Sequence, residues 1–385
     1  MNLRTPVYLD HHATTPIDPR VLETLIRVQR DHFGNPGSGN HAFGWAAARL
    51  VEEAREHVAA LVGATGREII FTSGATEANN LALWGVLRAH APTGGQLVIS
   101  NLEHEAVAAP AAALVAAGYE LAVAPADSQG RVAAAAVQEA MTERTVLVSV
   151  IAAQNEIGTI QPVADIGRLC KERGILFHTD AVQAAGRIDL DVEAMGIDLL
   201  SLSAHKVYGP KGVGALYVRR KNPRVRLQPL LYGGDQERGW RPGTLNVPGI
   251  AAMGEACRLA RAEMVAERTR LEGLRDRLLG RLETELTGVV LNGARAGRLA
   301  GNLNLSFGGV RAHSLLGALT VLAVSSSSAC TRTDSGPSAI LTSLGVPDDL
   351  ARASLRIGLG RFTTTAEVDF AAATIIAAVT KLRAS

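Results

Sequence analysis

Side chains that could carry out chemistry stand directly after five predicted strands. Runs of apolar and β-branched residues predict these strands, and the groups that follow them are Ser73-Gly74-Ala75-Thr76, His104, Asn155, Asp180 with Gln183, and Ser203 with His205 and Lys206. In open α/β sheets, ligands bind at the carboxyl ends of the strands. We therefore expect these residues to share one crevice at one edge of a sheet.

One group of these residues suits a phosphate. Ser73-Gly74-Ala75-Thr76 is a small, glycine-containing turn that opens a predicted helix. A helix N-terminus offers free N–H groups and the positive end of the helix dipole. Thr76 adds a hydroxyl donor, and Ser203 and His205 can donate to the same phosphate. The turn alone is only a weak indication of a phosphate site.

A second group suits an aldehyde cofactor with a pyridine ring. Lys206, just past a strand end, can bond covalently to an aldehyde. Asp180 can keep a pyridinium nitrogen protonated, which makes the ring an electron sink, and His104 can stack on a ring or move protons. Taken singly, Asp180 could be a helix N-cap, Lys206 a surface lysine and His104 a structural histidine. Their joint placement favours the cofactor site, and no metal cluster is needed.

Cys330 is the candidate nucleophile. Serines occupy positions 325–328 before it, and positions 331–338 after it include Asp, Ser, Gly and Pro, which predicts a loop. A free cysteine is more often a small buried residue than a nucleophile, but these polar neighbours favour an accessible thiol. Cys170 and Cys257 stand in apolar helical settings, so we expect both to be structural.

The composition excludes several classes of protein. The chain has 385 residues, with 39 basic and 37 acidic side chains and a formal net charge of +2, which gives no electrostatic case for a nucleic-acid or membrane surface. No stretch of about 18 apolar residues indicates a membrane span. No secretory signal is recognised at the start, so a cytoplasmic location is the default expectation. The three cysteines form no CxxC pair and are expected to remain thiols.

The alternation of strands and helices predicts an α/β fold with a mostly parallel sheet. The early part has predicted strands at 68–73, 96–100, 146–151, 175–178, 199–203 and 213–218, with helices at 76–89, 107–117 and 163–173. After Pro248 the pattern predicts a long helix at 250–285, strands at 302–307, 323–325 and 355–359, and a last helix at 365–382. One core rarely grows past about 250–300 residues. We expect a large domain at 15–260 and a smaller α+β domain, built from 1–14 and 261–385, that carries Cys330.

Longer segments resemble the cysteine desulfurases, in the class V aminotransferase branch of the fold-type-I pyridoxal-phosphate enzymes. The matching segments run from Tyr8 to about Thr364 and are YLDHHATTPIDPRV, FTSGATEANNLAL, NLEHEAV, QNEIGTIQPV, FHTDAVQAAG, SLSAHKVYGPKGVGALYVRR, GGDQERGWRPGTLNVPGI, AVSSSSACT and SLRIGLGRFTT. HKVYGPKGVGALY and SSSSAC are much more specific than a lone phosphate loop. The length from Cys330 to Arg356 is similar to that of the long-catalytic-loop group, which includes the nitrogen-fixation and housekeeping iron–sulfur desulfurases.

The resemblance implies pyridoxal 5'-phosphate (PLP) as the cofactor and a role for each candidate residue. Lys206 would hold the cofactor covalently, and His104 would stack on its ring. Asp180 would pair with the ring nitrogen and Gln183 with the ring hydroxyl. The remaining cofactor-binding residues would be Gly74, Ala75, Thr76, Asn155, Ser203 and His205.

The substrate and the partners are implied in the same way. Asn155 and Arg356 would hold the carboxylate of L-cysteine, a task that suits the arginine fork. Cys330 would receive the sulfur as a persulfide and pass it to an acceptor protein. Thr244, in RPGT, would reach the phosphate in a neighbouring subunit, which implies a homodimer with shared sites. Direct binding to nucleic acid or membrane is not expected.

Other functions stay open on the sequence alone. An aminotransferase or a selenocysteine lyase on the same scaffold would need Lys206 but not Cys330. A sulfur-relay docking protein would use the loop after Cys330 as an interface, whereas a dinucleotide-binding protein is excluded because no GxGxxG follows the first strand. The chain departs from the family at His11-His12, where tyrosine or asparagine pairs are commoner. The destination of the sulfur (iron–sulfur cluster, tRNA, DNA or a thio-cofactor) is not readable from the residues.

Overall fold

The computed structural model describes residues 3–310, 312–326 and 336–384. Within these ranges the strands are β1 (Val7–Tyr8), β2 (Ile69–Thr72), β3 (Gln96–Ser100), β4 (Glu120–Ala124), β5 (Thr145–Ser149), β6 (Leu176–Asp180), β7 (Leu199–Ser203), β8 (Gly214–Val218), β9 (Val289–Leu291), β10 (Asn302–Phe307), β11 (Leu322–Ala323) and β12 (Ser354–Gly358). The helices are α1 (Pro19–Asp31), α2 (Ala42–Leu61), α3 (Ala75–His90), α4 (Glu105–Ala116), α5 (Ala134–Ala140), α6 (Val163–Arg173), α7 (Val247–Glu285), α8 (Ala312–Ala318), α9 (Ala339–Ser343), α10 (Asp348–Arg352) and α11 (Thr365–Arg383).

The central sheet has seven strands in the order β2-β8-β7-β6-β5-β3-β4. β8 runs antiparallel to both of its neighbours, and every other neighbouring pair in this sheet is parallel. β2, β3, β5, β6 and β7 therefore run in the same direction, and their carboxyl ends lie at one edge of the sheet. The predicted α/β fold with a mostly parallel sheet is confirmed.

Both faces of the central sheet are buried by helices. Along β5, Leu147 belongs to the apolar cluster that includes α3 and α4, and the next residue, Val148, belongs to the cluster that includes α2, α6 and the first part of α7. Successive residues of a strand point to opposite faces, so the runs of apolar residues in β3, β5, β6 and β7 bury both sides. Such continuous runs are typical of parallel sheets covered by helices on both faces.

A second core forms around a smaller antiparallel sheet with the order β12-β10-β9. The long helix α7 contributes to both cores. Its buried residues up to Ala260 pack with the central sheet, and those from Leu271 onward pack with β10, β12 and α11. We propose that the predicted domain boundary lies on this helix, between these two sets of residues.

The N-terminal segment runs between the two cores and brings both to one place. β1 pairs with β11, and Asp10 forms a parallel bridge with Gly358 at the end of β12. Farther along, the Thr15 N–H donates to the His205 carbonyl at 3.0 Å, just after β7. Gly358 is required at this crossing, because a Cβ there would lie 2.8 Å from His12 Cδ2. Residues 10–15 therefore lie beside the carboxyl ends of the central strands.

The structure differs from the sequence interpretation mainly at the periphery. β4 was not predicted; it is an edge strand of the central sheet, and of its five residues only Ala124 is buried. α1 and α2 were also missed, although Asp18 as N-cap and Pro19 at the first helical position are start signals. In the described ranges, no helix is long and apolar enough to span a membrane.

A buried ion pair covers the free edge of β2. Arg55 and Glu237 form two hydrogen bonds of 2.7 and 2.8 Å, and their side chains are only 6% and 2% exposed. The Phe71 N–H donates to Glu237 at 2.7 Å, and the Ile69 carbonyl accepts from Arg55 at 2.8 Å. The backbone groups of an edge strand have no strand partner on that side. At β2, the side chains of Arg55 and Glu237 bind these groups in place of a neighbouring strand.

Replacing Glu237 by alanine is expected to lower the free energy of unfolding by about 3–5 kcal/mol, since the buried Arg55 loses its buried counter-ion and keeps only the exposed Glu52. Urea unfolding measures the change. Glu53→Ala is the matched control, because Glu53 pairs with Arg49 in an exposed ion pair and its loss should cost less than about 1 kcal/mol. Equal costs for the two variants would contradict this account of the edge.

Candidate active site

A cavity of about 580 Å³ opens at the carboxyl edge of the central sheet. Eleven predicted site residues line it: Gly74, Ala75, Thr76, His104, Asn155, Asp180, Gln183, Ser203, His205, Lys206 and Arg356. Thr244 is exposed and does not line the cavity, and Cys330 lies outside the described residues. The five strand ends thus supply one site, together with the N-terminal segment and β12.

Lys206 is held where the chain leaves β7. It ends a short turn of 3₁₀-helix, Ala204–Lys206, that directly follows the strand. Its Nζ donates to the carbonyl oxygens of His12 at 2.6 Å and Ala13 at 2.7 Å. The N-terminal segment therefore fixes the position of the amine within the cavity.

Asp180 is the last residue of β6 and is 3% exposed. Its Oδ2 accepts from Asn79 Nδ2 at 2.8 Å, and its Oδ1 accepts from the Val182 N–H at 3.0 Å. These neutral donors orient the carboxylate without cancelling its charge. The arrangement leaves an anion at the base of the cavity that can pair with a cationic ring nitrogen.

A second acid nearby is neutral. Glu103 is buried, and it accepts from Ser100 Oγ at 2.5 Å and from the Ile151 N–H at 2.8 Å. Burial raises the pKa of its carboxyl to about 8, with a further contribution from the charge of Asp180. Burial therefore favours the protonated, uncharged form of Glu103 at neutral pH.

The tautomer of His104 follows from its position at the start of α4. It is the N-cap of that helix, and its Nδ1 accepts from the Ala106 N–H at 3.0 Å. The neutral ring must then carry its proton on Nε2. Because Nδ1 is fixed by the helix, the ring has one orientation available at the cavity wall.

Residues 73–76 form an anion cradle at the start of α3. Gly74 is the N-cap with a φ of 155°, and no side chain caps the helix. The first N–H groups of a helix have no acceptor within it, so they are available to a ligand. Ser203 and His205 line the same cavity, and Nδ1 of His205 bonds to the Thr14 hydroxyl at 3.1 Å.

The charge around His205 favours an anion. Burial lowers the pKa of the His205 imidazole to about 4, and the positive charges of Lys206 and Lys211 add to the effect. His205 is therefore neutral and can serve only as a hydrogen-bond partner. The two lysines and the positive end of α3 supply the positive potential.

Gln183 takes part in a network that was not foreseen. Its Nε2 donates to the His12 carbonyl at 2.8 Å. Its Oε1 accepts from Arg187, so the His12 ring, 3.1 Å away, must donate through Nδ1. Burial, with the charge of Arg187, holds the pKa of His12 well below its usual value. His12 is therefore neutral, and its Nε2 has no partner within the described part of the chain.

Arg356 reaches the cavity from β12. Its Nη2 donates to Asp10 Oδ1 at 3.0 Å, and the Ser325 hydroxyl donates to Asp10 Oδ2 at 2.8 Å. The Arg356 side chain is 3% exposed, and no described group accepts from its Nε. A buried guanidinium with an unused donor is suited to a carboxylate ligand. Asn155 lines the same cavity.

Several functional neighbours were missed by sequence reasoning: Asp10, Glu77, Asn79, Arg187 and Lys211. Asp10, Glu77, Asn79 and Lys211 stand within the quoted motifs, but nothing in those motifs indicates a role for these particular side chains. Asn79 and Arg187 lie on helical or turn segments after the strand ends. No local pattern distinguishes them from surface polar residues, because their roles depend on contacts with distant parts of the chain.

The described cysteines are not candidates for catalysis. Cys170 and Cys257 are buried and form no disulfide. Burial raises the pKa of each thiol to about 12, so neither is a thiolate near neutral pH. Across the described residues, no group of histidine, cysteine and acidic side chains is placed to hold a metal ion.

Comparison with known proteins identifies the family. The model of the aminotransferase class-V family matches residues 7–370. The chain belongs to the class-V aminotransferase family. Among its curated relatives in this family, the cysteine desulfurase IscS of Anaeromyxobacter dehalogenans is 50% identical over 381 residues, which is 99% of this chain and 94% of the relative.

Solved structures of class-V aminotransferase relatives agree in fold. A NifS-like protein superposes with a TM-score of 0.90 at 37% identity, covering 98% of this chain and 100% of that one. SspA in complex with cysteine superposes with a TM-score of 0.81 at 34% identity, covering 93% and 100%. These comparisons confirm the resemblance to the cysteine desulfurases that the motifs indicated.

Proposed function

We propose that this chain is a PLP-dependent cysteine desulfurase, which converts L-cysteine to L-alanine and transfers the sulfur to Cys330. The cavity carries the proposal, since it joins a lysine, a buried aspartate, an anion cradle and a buried arginine. The relatives named cysteine desulfurase IscS, matched over almost the full length of both chains, support the same activity.

The residues present fit PLP at three points. The uncapped start of α3 suits a phosphate. Asp180 has only neutral donors among the described groups, so it has a negative charge available for a protonated pyridine nitrogen. Lys206 Nζ lies in the same cavity, where it can join to an aldehyde. When bound, PLP supplies an electron sink for the carbanion that forms at the substrate Cα.

The residues of the chain supply the proton transfers and the orientation. Arg356 and Asn155 hold the substrate carboxylate, which fixes the position of the α-proton. The Nζ amine of Lys206 would take that proton as a general base. Asp180 would hold the ring nitrogen of the cofactor in its protonated form, and the Nε2 proton of His104 is available at the cavity wall.

The transfer of sulfur involves a residue outside the described ranges. We propose that the Cys330 thiolate attacks the sulfur of the bound substrate, so that an S–S bond forms and the C–S bond breaks. The electron pair of the C–S bond would stay with the substrate Cβ, which takes up a proton, and return of the α-proton from Lys206 to Cα would give L-alanine. Cys330 keeps a persulfide, which a second thiol of an acceptor protein can take up.

The proposal includes an assembly and a location. Thr244, exposed in this chain, would reach the phosphate of a partner subunit in a homodimer. The catalytic thiol requires a reducing compartment, which supports a cytoplasmic enzyme. The identity of the acceptor protein would decide whether the sulfur is used for iron–sulfur clusters or for thiolation of tRNA, DNA or a cofactor.

An absorbance titration tests the proposal. Purified protein supplied with PLP is expected to gain a visible band that changes when L-cysteine is added, with L-alanine and sulfide released in parallel. Release of alanine from selenocysteine but not from cysteine would favour a selenocysteine lyase, and transfer of the amino group to a 2-oxo acid would favour an aminotransferase. A protein that binds no PLP would overturn the proposal.

Replacing Arg356 by lysine is expected to raise KM for L-cysteine by about tenfold or more, because lysine cannot pair with both carboxylate oxygens. PLP binding should stay unchanged, since Arg356 is assigned to the substrate. Steady-state kinetics and a PLP titration measure the two effects. Arg352→Lys, an exposed site four residues earlier, is the matched control. A loss of PLP affinity instead of cysteine affinity would contradict the assignment.

A further inference from the structure

An ion pair between Glu77 and Arg241 lies beside the anion cradle. Glu77 directly follows the cradle in the first turn of α3 and lines the same cavity. Its Oε2 accepts from the Ser73 N–H at 2.8 Å, and its Oε1 accepts from Arg241 Nε at 2.9 Å. The two side chains are 18% and 24% exposed, so water screens the pair only in part.

A carboxylate in this position opposes the binding of a phosphate. Burial disfavours the ionised form of Glu77, but the bonds from Ser73 and Arg241 outweigh it and hold the pKa of this carboxyl below its usual value. Glu77 is therefore an anion at neutral pH, next to groups that would receive a second anion. The Glu77 carboxylate and a phosphate bound at residues 73–76 would repel each other unless a cation compensates the charge of the carboxylate.

We propose that Arg241 is a positioning residue that sets the affinity of the cradle for a phosphate monoester, by neutralising Glu77 and holding its carboxylate against Ser73. The inference rests on the proposed function, in which the cradle takes the phosphate of PLP. It adds two residues to those assigned above, and both act through their contacts with each other and with Ser73. Glu77 shapes the turn, and Arg241 removes the electrostatic cost of having an acid there.

Arg241 is held firmly by the segment that carries it. Four residues earlier, Glu237 is fixed by its buried pair with Arg55. Glu237 and Arg238 have φ angles of 46° and 62°, a left-handed conformation that side chains other than glycine adopt only when their surroundings impose it. Within the same segment, the Gly243 N–H donates to Gln236 Oε1 at 2.9 Å. These contacts direct Arg241 toward α3.

The test compares two ligands that differ only in the phosphate. Dissociation constants of PLP and of pyridoxal are measured by absorbance titration of the full-length protein freed of cofactor. Three variants are used: Arg241→Gln, Glu77→Gln and the double variant. Arg241→Gln is expected to weaken PLP by about tenfold and to leave pyridoxal nearly unchanged. Glu77→Gln keeps PLP affinity at or above that of the unmodified protein.

The double variant decides between a charge effect and a structural effect. If Arg241 acts by neutralising Glu77, the double variant regains PLP affinity to within about threefold of the unmodified protein. Inorganic phosphate should compete with PLP in the same rank order of variants. Thermal unfolding midpoints of all variants establish that each is folded.

Three outcomes would overturn the inference. Arg241→Gln could weaken PLP and pyridoxal equally, the double variant could remain as weak as Arg241→Gln, or PLP affinity could be unchanged in Arg241→Gln. In each of these the unmodified protein still binds PLP, and the proposed function stands. If the unmodified protein binds neither ligand, the proposed function has failed, and the inference fails with it.

Discussion

Lys206→Ala is expected to abolish covalent attachment of PLP and to lower turnover by about 10²–10⁴-fold or more, since the variant loses both the attachment point and the general base. The position of the amine supports this expectation. Lys206 Nζ is fixed by the carbonyl groups of His12 and Ala13 within the cavity. Lys211 also lines the cavity, but it lies on the exposed turn that leads to β8.

Reduction with borohydride followed by mass spectrometry measures the attachment. In the unmodified protein the label should be found on the peptide that contains Lys206, and in Lys206→Ala no peptide should carry it. PLP should then be removable by gel filtration. Lys206→Arg keeps the positive charge, so it separates loss of the covalent bond from loss of charge. A label on Lys211 in the unmodified protein would show that the wrong lysine was assigned.

The strand ends were predictable because they depend on short-range patterns. Apolar runs fix the strands, parallel strands must place their carboxyl ends together, and so Asp180, His104 and Lys206 could be grouped from the sequence. The structure brings these residues to one cavity. The antiparallel direction of β8 did not affect this grouping, because no predicted site residue stands at the end of β8.

The contacts that orient these side chains could not be predicted. Asn79 reaches Asp180 across 101 residues, and Asp10 reaches Arg356 across 346 residues. Such partners depend on how the N-terminal segment passes between the two cores, which no local pattern encodes. The same holds for Glu77 and Arg241, which are 164 residues apart. The sequence therefore indicates the chemical groups, and the tertiary fold determines their charge and orientation.

The neutral state of His12 and His205 also depends on the tertiary fold. Both imidazoles have a pKa below the ordinary value because they are buried near cations: Arg187 for His12, and Lys206 with Lys211 for His205. Neither histidine adds positive charge to the cavity near pH 7. The positive potential of the cavity near pH 7 therefore comes from lysine, arginine and the start of α3.

Cys330→Ser is expected to retain PLP binding and the change in absorbance on addition of L-cysteine, and to lose alanine and sulfide formation by about 10²-fold or more. A hydroxyl cannot replace the thiolate, which is the nucleophile that attacks sulfur. The variant therefore separates binding and proton removal, which depend on Lys206 and Asp180, from the transfer of sulfur.

The matched control is Cys170→Ala, because Cys170 is a buried thiol on α6, outside the cavity lining. Its alanine formation should equal that of the unmodified protein. Trapping with an alkylating reagent after one turnover should find the added sulfur on the peptide that contains Cys330, and on neither Cys170 nor Cys257. If Cys330→Ser forms alanine at the full rate, the nucleophile assignment is wrong. Amino transfer to a 2-oxo acid would then be the activity to measure, since that reaction needs Lys206 and no thiol.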